Sequence, residues 1–181
     1  MRARRRTVSA TLAERAGEAA AGHLLEQECV RSAQTVALYA SLADEVSTRP
    51  LFAVLRSRSV TCLFPRVIED FNLEFAPVAD WGKLEPSGRI SEPPASVPTR
   101  PLGEADVVIV PGVAFDATGN RLGRGRGCYD RALPPGPGGP RVLGLGFAFQ
   151  VVAHVPCDSR DRPMDAIVTE EGIRWAVEQP R

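Results

Sequence analysis

Apolar side chains recur along the chain with two different periods, and these periods predict alternating helices and strands. Residues 10–28 carry an apolar side chain every three or four positions, and Ser9 stands where a helix N-cap belongs. Thr48 and Pro50 open a second helical pattern that runs through Arg56. The first part of the chain is therefore predicted to contain two amphipathic helices.

Short apolar runs bounded by turn-forming residues predict the strands. The run DVVIV at residues 106–110 is rich in β-branched residues, which is typical of a central strand covered on both faces. Pro65 is expected to end one strand, and the prolines and glycines of residues 85–101 predict a loop. The predicted strands are residues 36–40, 60–64, 72–76, 106–110, 141–147 and 166–169.

The order of these elements predicts an α/β fold. Strands that alternate with helical patterns favour a three-layer sandwich, in which a mostly parallel central sheet is flanked by helices on both sides. A chain of 181 residues fits one domain, so we expect a single domain over residues 1–181. The proline- and glycine-rich run at residues 134–140 is predicted to be a surface loop that marks no domain boundary.

Composition argues against several classes of function. The 22 basic and 22 acidic residues cancel, so the chain as a whole does not attract polyanions. The four cysteines lie far apart with no histidine at metal-ligand spacing, which argues against a zinc site or a disulfide framework. No signal peptide opens the chain, and no apolar run approaches the roughly 18 residues that a membrane span needs. We expect a cytoplasmic monomer without a membrane partner.

The most unusual segment follows the strand predicted to be central. Residues 119–131 read GNRLGRGRGCYDR, so that glycines alternate with arginines. Glycine permits positive φ angles and close approach of a ligand, and alternating glycines can turn successive backbone N–H groups toward one anion. Guanidinium groups pair with phosphate oxygens through two parallel hydrogen bonds. The segment therefore predicts a phosphate-binding loop at the carboxyl end of a strand, where α/β sheets collect their ligands.

Two alternatives stay open for this loop. Its arginines could be the solvated charges of an exposed basic turn. They could also belong to a nucleic-acid surface, although such a surface should carry a longer stripe of arginines with interleaved aromatic residues on a basic chain. The segment is not a Walker loop, because the single lysine of the chain, Lys83, lies elsewhere.

Asp130, which follows the loop, is a candidate magnesium ligand. Mg²⁺ in proteins is usually held by one or two carboxylates together with substrate oxygens. The structural alternative for Asp130 is helix capping or an ion pair with Arg131.

The same segment closely resembles the signature of the 5-formyltetrahydrofolate cyclo-ligase family, also called 5,10-methenyltetrahydrofolate synthetases. The likeness extends to YASLADEV at 39–46, FPRV at 64–67, VPGVAFD at 110–116 and RPMDAIVTEEGI at 162–173. It covers most of the chain from about residue 30.

The resemblance implies a ligase that uses ATP and Mg²⁺ to convert 5-formyltetrahydrofolate into 5,10-methenyltetrahydrofolate. In the implied mechanism the formyl oxygen attacks the γ-phosphorus of ATP, which gives an iminium phosphate. Nitrogen 10 of the folate then closes the ring, and phosphate leaves. Arginines and Mg²⁺ can stabilise the charge that spreads over a transferred phosphoryl group, which fits the residues of the loop.

The resemblance also implies roles for single residues, matched by position. Asp130 and Asp165 match the magnesium ligands of the family, and Glu45 matches a carboxylate that contacts the pterin. The candidate catalytic residues are Arg124, Arg126 and Tyr129. The candidate ATP-binding residues are Arg121, Leu122, Gly123, Arg124, Gly125, Arg126, Gly127, Cys128 and Tyr129. The candidate folate-binding residues are Ala40, Glu45, Phe115, Gly123, Gly125 and Gly127.

Structural roles are the alternatives for three of these residues. Phe115 could be a core aromatic residue, because a buried aromatic side chain after a strand usually packs in the core. Glu45 could be a solvated carboxylate beside a helix. Asp165 could be a turn residue at the start of a strand.

The chain departs from the family pattern at two places. An amino-terminal helix with a lysine and an arginine that reach ATP is expected to be missing, and Arg4, Arg5 and Arg6 lie downstream of the matching positions. Cys128 stands where the first of two tyrosines usually precedes the aspartate, which predicts slower turnover. A catalytically impaired family member that binds nucleotide or folate is therefore the second hypothesis, and a nucleic-acid-associated interaction protein is the third.

Overall fold

The computed structural model describes residues 1–133, 138–158 and 161–176. Most of the predicted surface loop at 134–140 therefore lies outside the described residues. The helices are α1 Arg2–Arg5, α2 Ala10–Glu26, α3 Glu28–Arg31, α4 Arg49–Ser57 and α5 Cys128–Ala132. The strands are β1 Thr35–Ala37, β2 Thr61–Val67, β3 Leu73–Pro77, β4 Glu85–Ser87, β5 Ile90–Glu92, β6 Val107–Pro111, β7 Ala114–Asp116, β8 Arg121–Leu122, β9 Arg141–Leu145, β10 Val151–Val152, β11 Ala166–Thr169 and β12 Gly172–Trp175.

One large sheet forms the middle of the molecule, with strand order β12-β11-β9-β6-β1-β2-β3. Every pair from β11 through β2 is parallel, and the edge strands β12 and β3 run antiparallel to their neighbours. The strand β6 occupies the centre, and four of its five residues are buried. The predicted α/β fold with a mostly parallel central sheet is confirmed.

Two helices cover one face of the sheet, as the sequence pattern predicts. The Ser9 hydroxyl accepts a hydrogen bond from the backbone N–H of Leu12 at 3.2 Å and caps α2. The buried stripe of α2 consists mainly of small residues, which lets the helix approach its neighbours closely. A Cβ atom on Gly17 would lie under 3.0 Å from Ser47, just before α4.

The other face is covered mainly by a small sheet instead of long helices. The strands β10, β7 and β8 form this second sheet, and the short helix α5 packs beside it. Phe115 of β7 is fully buried at the centre of the second apolar cluster. A Cβ atom placed on Gly112, Gly144 or Gly146 would lie under 3.0 Å from its ring, so the three glycines leave the space that this ring fills.

The prediction that Pro65 ends a strand is wrong, because β2 continues to Val67. Pro65 lies opposite Phe75 of β3, and the Phe75 carbonyl points away from β2 and accepts from Arg100 N at 2.7 Å. The nitrogen of Pro65 likewise points away from β3, toward the side on which β1 has already ended. The missing N–H therefore removes no ladder hydrogen bond.

The prediction of an unstructured loop over residues 85–101 is also wrong in part. Strands β4 and β5 form a hairpin there, and Gly88 takes a φ of +61° in its turn. The carboxylate of Glu92 in β5 accepts from Val67 N at 2.9 Å, which attaches the hairpin to the end of β2. Within the described residues, no helix is long and apolar enough to cross a membrane.

Candidate active site

The carboxyl ends of the parallel strands meet at one edge of the sheet, and the glycine-arginine segment lies along this edge. The chain leaves β6 after Pro111 and forms the antiparallel pair β7–β8. The alternating glycines begin directly after β8, at Gly123. The loop therefore starts from a folded hairpin, which fixes the direction in which Arg121 and Leu122 enter it.

A carboxylate in the turn of this hairpin fixes its shape. Asp116 accepts hydrogen bonds from Thr118 N at 3.0 Å, Asn120 N at 3.1 Å and Val155 N at 2.9 Å. The hydroxyl of Thr118 and the amide of Asn120 also donate to it. Burial alone raises the pKa of Asp116, but these hydrogen bonds outweigh burial and lower it. The group that precedes the loop is thus a structural carboxylate.

The glycines allow the loop to fold back against the protein. Gly125 has a φ of +89° and Gly127 a φ of +62°, angles that residues with a side chain rarely adopt. Gly127 directly precedes α5, so the left-handed residue turns the chain into this helix. Gly125 and Gly127 are therefore turned and not extended.

Residues 121–130 of the loop line a cavity of about 690 Å³. This volume lies within the range of small-molecule sites, about 300–1,000 Å³. The rest of its wall is largely apolar and comes from the ends of β1, β2 and β6 and from the β4–β5 hairpin. The predicted site residues in this wall are Ala40, Glu45, Arg121, Leu122, Gly123, Arg124, Gly125, Arg126, Gly127, Cys128, Tyr129 and Asp130.

A second cavity of about 600 Å³ adjoins the first and has a basic wall. The two cavities share Leu42, Arg89 and Arg124 in their walls. Arg5 and Arg6 belong to the second cavity alone, and Asp44 is the acidic residue in its wall. A largely apolar compartment thus stands beside a compartment suited to anions, with Arg124 in the wall of both.

Each arginine of the loop has a partner within the protein. The guanidinium group of Arg121 pairs with Asp130, while its buried Nε atom has no hydrogen-bond partner among the described residues. Arg124 pairs with Glu45 at 3.1 Å and with Asp44 at 3.4 Å. These two pairs lie in the cavity walls, whereas Arg126 and Arg131 are exposed, so a solvated basic turn describes only the outer part of the loop.

The outer part of the loop is attached to the segment before β3. The guanidinium group of Arg126 lies 3.8 Å from the centre of the Phe71 ring. Arg131 donates to the carbonyl oxygens of Arg126 at 2.9 Å and of Asp70 and Phe71 at 3.0 Å each. Asp70 and Phe71 both have positive φ, an arrangement that costs energy and that clusters at functional sites.

Glu45 is buried, so it is not a solvated carboxylate. One of its oxygens accepts from Arg5 and from Arg124, each at 3.1 Å. The other oxygen accepts from Leu42 N at 3.1 Å. The carboxylate therefore faces two guanidinium groups at the junction of the two cavities.

Two tyrosines in the wall of the larger cavity are held as neutral phenols. Burial raises the pKa of Tyr129 most, the charge of Glu45 raises it further, and Arg121 opposes both. The pKa of Tyr39 is raised well above its ordinary value by burial, with Glu45 again adding to the effect. Tyr129, a candidate catalytic residue, can therefore donate a hydrogen bond or form a wall, but it is a poor base near neutral pH.

The structure does not bring Phe115 or Asp165 to these cavities. Phe115 packs in the core, which is the alternative that its burial favours. Asp165 precedes β11 and therefore lies at the amino edge of the sheet, where it accepts from Val142 N at 2.7 Å. Asp130 and Asp165, paired by the resemblance as magnesium ligands, thus lie at opposite edges of the sheet.

Phe71 and the β4–β5 hairpin were not identified from the sequence as parts of the site, and the contact of Arg5 with Glu45 was not predicted. Phe71 lies in a short polar connection, and nothing in its spacing indicates a left-handed backbone. The Ser-Gly pair at 87–88 was the available signal for the hairpin that carries Arg89. Arg5 reaches the site from the start of the chain, a contact that only the tertiary fold creates.

Among the described residues, no group of three or more histidine, cysteine, aspartate or glutamate side chains could hold a metal ion. A site for Mg²⁺ would therefore combine few protein carboxylates with ligand oxygens, as Mg²⁺ sites commonly do. Asp130 is the predicted ligand that the structure places in the cavity wall.

Comparison with known proteins agrees with this architecture. The sequence profile of the 5-formyltetrahydrofolate cyclo-ligase family matches residues 1–170. The 5-formyltetrahydrofolate cyclo-ligase of Escherichia coli is 33% identical over 179 residues, which are 96% of this chain and 98% of the relative. The enzyme of the same name from Mycolicibacterium smegmatis is 30% identical over 172 residues, 91% of this chain and 87% of the relative.

A solved structure has the same fold. The 5,10-methenyltetrahydrofolate synthetase of Aquifex aeolicus superposes with a TM-score of 0.82 at 29% identity, covering 98% of this chain and 90% of that one. The family profile spans nearly the whole chain, and the relatives align over nearly their whole lengths. The resemblance seen in the glycine-arginine loop is therefore confirmed, and the chain is an enzyme of the 5-formyltetrahydrofolate cyclo-ligase family.

Proposed function

We propose that this enzyme converts 5-formyltetrahydrofolate into 5,10-methenyltetrahydrofolate in a reaction that consumes MgATP. The observation that carries the proposal is the junction of two cavities of different chemistry at Arg124. A reaction between a flat, partly apolar molecule and a polyanion needs both compartments and one shared wall. Positioning two substrates together can supply roughly 7–11 kcal/mol of barrier reduction.

The larger cavity suits a reduced folate. Its wall offers apolar side chains for the ring system, and Glu45 can accept hydrogen bonds from the amino and N–H edge of a pterin. Tyr129 and Tyr39 add aromatic surface with neutral hydroxyl groups. The folate would then present its formyl group toward Arg124.

The phosphates of ATP would lie at the shared wall, between the glycine loop and the exposed arginines of the smaller cavity, Arg6 and Arg89. The buried and unpartnered Nε atom of Arg121 fits an acceptor that a phosphate oxygen would supply. Arg124 and Arg126 would stabilise the charge on the transferred phosphoryl group. The smaller cavity also gives Arg6 a place beside the proposed nucleotide site.

The proposed reaction needs no covalent intermediate with the protein. The formyl oxygen attacks the γ-phosphorus, and the bond to ADP breaks. Nitrogen 10 then attacks the activated carbon and loses its proton, and the carbon–oxygen bond breaks to release phosphate. The products are 5,10-methenyltetrahydrofolate, ADP and phosphate, and the main role of the residues is to hold and orient the reactants.

Asp130 is the residue that would hold Mg²⁺, and its surroundings fit that role. Its carboxylate lies in the cavity wall and is partly exposed, with Arg121 as its present partner. A bound Mg²⁺ supplies positive charge that neutralises phosphate oxygens during transfer. Asp165 is left out of this proposal because it lies at the other edge of the sheet.

A turnover assay tests the proposal. Purified protein with MgATP and 5-formyltetrahydrofolate should produce the near-ultraviolet absorbance of the methenyl product, and Arg124→Gln should lose most of the rate. No product from folded wild-type protein would overturn the proposed activity. In that case, thermal stabilisation by ATP or folate would indicate a binding protein without turnover.

The nucleic-acid hypothesis makes a different prediction in the same preparation. Retained RNA should dissociate steeply with salt and disappear in a variant that lacks Arg124 and Arg126. The pairing of these arginines with residues of the protein favours the small-molecule function. A cytoplasmic location and a monomeric state stay predictions.

A further inference from the structure

Arg5 belongs to a four-residue helix at the start of the chain, yet its side chain is only 2% exposed. Its Nε donates to the Asp44 carbonyl at 2.9 Å, and one terminal nitrogen donates to the Gly112 carbonyl at 3.0 Å. The other terminal nitrogen lies 3.1 Å from both the Asp44 and the Glu45 carboxylates. All three guanidinium nitrogens of this buried cation are therefore engaged.

These contacts join two loops at the carboxyl edge of the sheet. Asp44 and Glu45 belong to the connection after β1, and Gly112 belongs to the connection after β6. Glu45 lies in the wall of the larger cavity, while Arg5 lies in the wall of the smaller one. Arg5 therefore contacts Glu45 from the smaller cavity, outside the wall proposed for the folate.

Arg124 contacts the same oxygen of Glu45, but from a different environment. Its side chain is 46% exposed, and it extends from the glycine loop to which we assign the phosphates. A half-exposed arginine can exchange one anionic partner for another at low cost, whereas a buried one with every nitrogen bonded cannot. The two guanidinium groups on Glu45 therefore differ in what they can do when ligands arrive.

We propose that Arg5 is a positioning residue that holds Glu45 for the folate while Arg124 leaves Glu45 for the phosphates. Without Arg5, the departure of Arg124 would leave a buried carboxylate with no cation beside it. The inference rests on the proposed function, because it assigns Glu45 to the folate and Arg124 to ATP. It adds a residue that no site motif contains and a reason for the burial of Arg5.

Geometry explains why this position needs arginine. Acceptors lie in several directions around the group, and a planar fork with donors at fixed angles reaches them together. A lysine would bring the charge but could not bond both the Gly112 carbonyl and the carboxylates in the same way. Arg5→Lys should therefore restore only part of the function lost in Arg5→Gln.

The test compares Arg5→Gln, Arg5→Lys and the control Arg4→Gln in steady-state kinetics and in folate binding by thermal shift. Arg4 lies in the same helix, is exposed, and contacts Phe149, which is outside both cavity walls. We expect Arg5→Gln to raise the KM for folate about tenfold or more, because Glu45 loses a charged hydrogen bond. The KM for ATP should change less than about twofold. Arg4→Gln should change neither value.

A double-mutant cycle separates positioning from general structural damage. If Arg5 acts through Glu45, Arg5→Gln in a Glu45→Gln background should raise the folate KM by less than about twofold. An equal loss in both backgrounds, or an equal rise in both KM values, would overturn the proposal. If Arg5→Gln does not fold, Arg5→Lys serves in the same cycle, and a folate KM equal to that of the wild type would then overturn it.

Measurements on the wild-type protein separate a failure of the proposed function from a failure of the proposed role of Arg5. If the wild type forms product but the effects of Arg5→Gln and Glu45→Gln simply add, the role of Arg5 is rejected and the proposed function is kept. If the wild type binds folate but forms no product, the double-mutant cycle can still be measured as folate affinity by thermal shift. Neither product nor folate binding rejects both.

Discussion

The two edges of the central sheet use the same kinds of charged residue in different ways. At the amino edge, Asp106 accepts from Gln34 N at 2.7 Å and from Thr35 N at 2.9 Å. Asp165 accepts from Val142 N at 2.7 Å, with Arg162 at 3.6 Å and Arg141 at 3.8 Å as longer ion pairs. At the carboxyl edge, Glu45 and Asp130 pair with arginine side chains in cavity walls.

The difference shows what a carboxylate can contribute at each edge. A backbone N–H at the start of a strand has a fixed position, so the carboxylate that accepts from it stabilises the fold and cannot easily change partner. An arginine side chain in a cavity can turn to an incoming phosphate or leave its carboxylate to a metal ion. We therefore expect substitutions at the two edges to act on different measured quantities.

Arg124→Gln should have the largest effect. Removing a donor that stabilises transition-state charge lowers kcat/KM by about 10²–10³-fold. The side chain is half exposed, so the melting temperature should stay within a few degrees of the wild type. Kinetics together with a thermal melt would check both parts. A large loss of stability with little loss of rate would place Arg124 with the structural residues.

Asp130→Asn should follow, with a loss of about 10- to 100-fold in rate at a fixed magnesium concentration, the loss typical when a supporting group at a metal site is removed. The concentration of Mg²⁺ that gives half the maximal rate should rise, because the site loses a charged ligand. A magnesium titration measures this value. An unchanged titration curve would remove Asp130 as the ligand.

A substitution of Asp116 tests whether a carboxylate stabilises the fold because it accepts from backbone N–H groups or because it lies at the amino edge of the sheet. It lies near the carboxyl edge but accepts from backbone N–H groups, so Asp116→Asn should cost about 1–3 kcal/mol of unfolding free energy near pH 7. Its pKa is lowered in the folded state from 3.8, so its contribution is present above that value and is lost as the pH falls below it.

Denaturant unfolding over a pH series checks this expectation. The stability difference between wild type and Asp116→Asn should shrink as the pH drops below 3.8, because protonation removes the charge that the hydrogen bonds favour. A difference that is constant over the series would show that the charge of Asp116 does not matter.

Asp165→Asn should have the smallest effect. Losing the charged acceptor of the Val142 N–H should cost about 1 kcal/mol of unfolding free energy. The rate per folded molecule and its dependence on magnesium should match the wild type. A changed magnesium dependence would restore Asp165 as a metal ligand and would break the contrast between the two edges.

Local patterns predicted the elements whose cause is local. The helical period and the cap at Ser9 predicted α2, and β-branched residues predicted β6 as central. Pro65 misled the prediction because its effect depends on which side of β2 its nitrogen faces, which the register with β3 sets, and on whether β1 has already ended on that side. A single sequence does not contain this information.

The residues of the candidate site also divide into those that a local pattern predicts and those that only the fold brings together. The glycine loop could be recognised because its backbone requirement is written in consecutive residues. Arg5 and Gly112 are separated by 107 positions, and their contact depends on how the chain folds. Asp165 matched a family position, but its edge of the sheet follows from strand direction, which the motif alone does not state.

The packing of Phe115 has a consequence for protein engineering. Three glycines make room for this one ring, which belongs to the hairpin that leads to the glycine-arginine loop. Grafting the loop alone onto another scaffold would therefore transfer the sequence motif without the packing of Phe115 that supports it. A successful transplant would have to carry the ring and all three vacant side-chain positions with it, as one inseparable module.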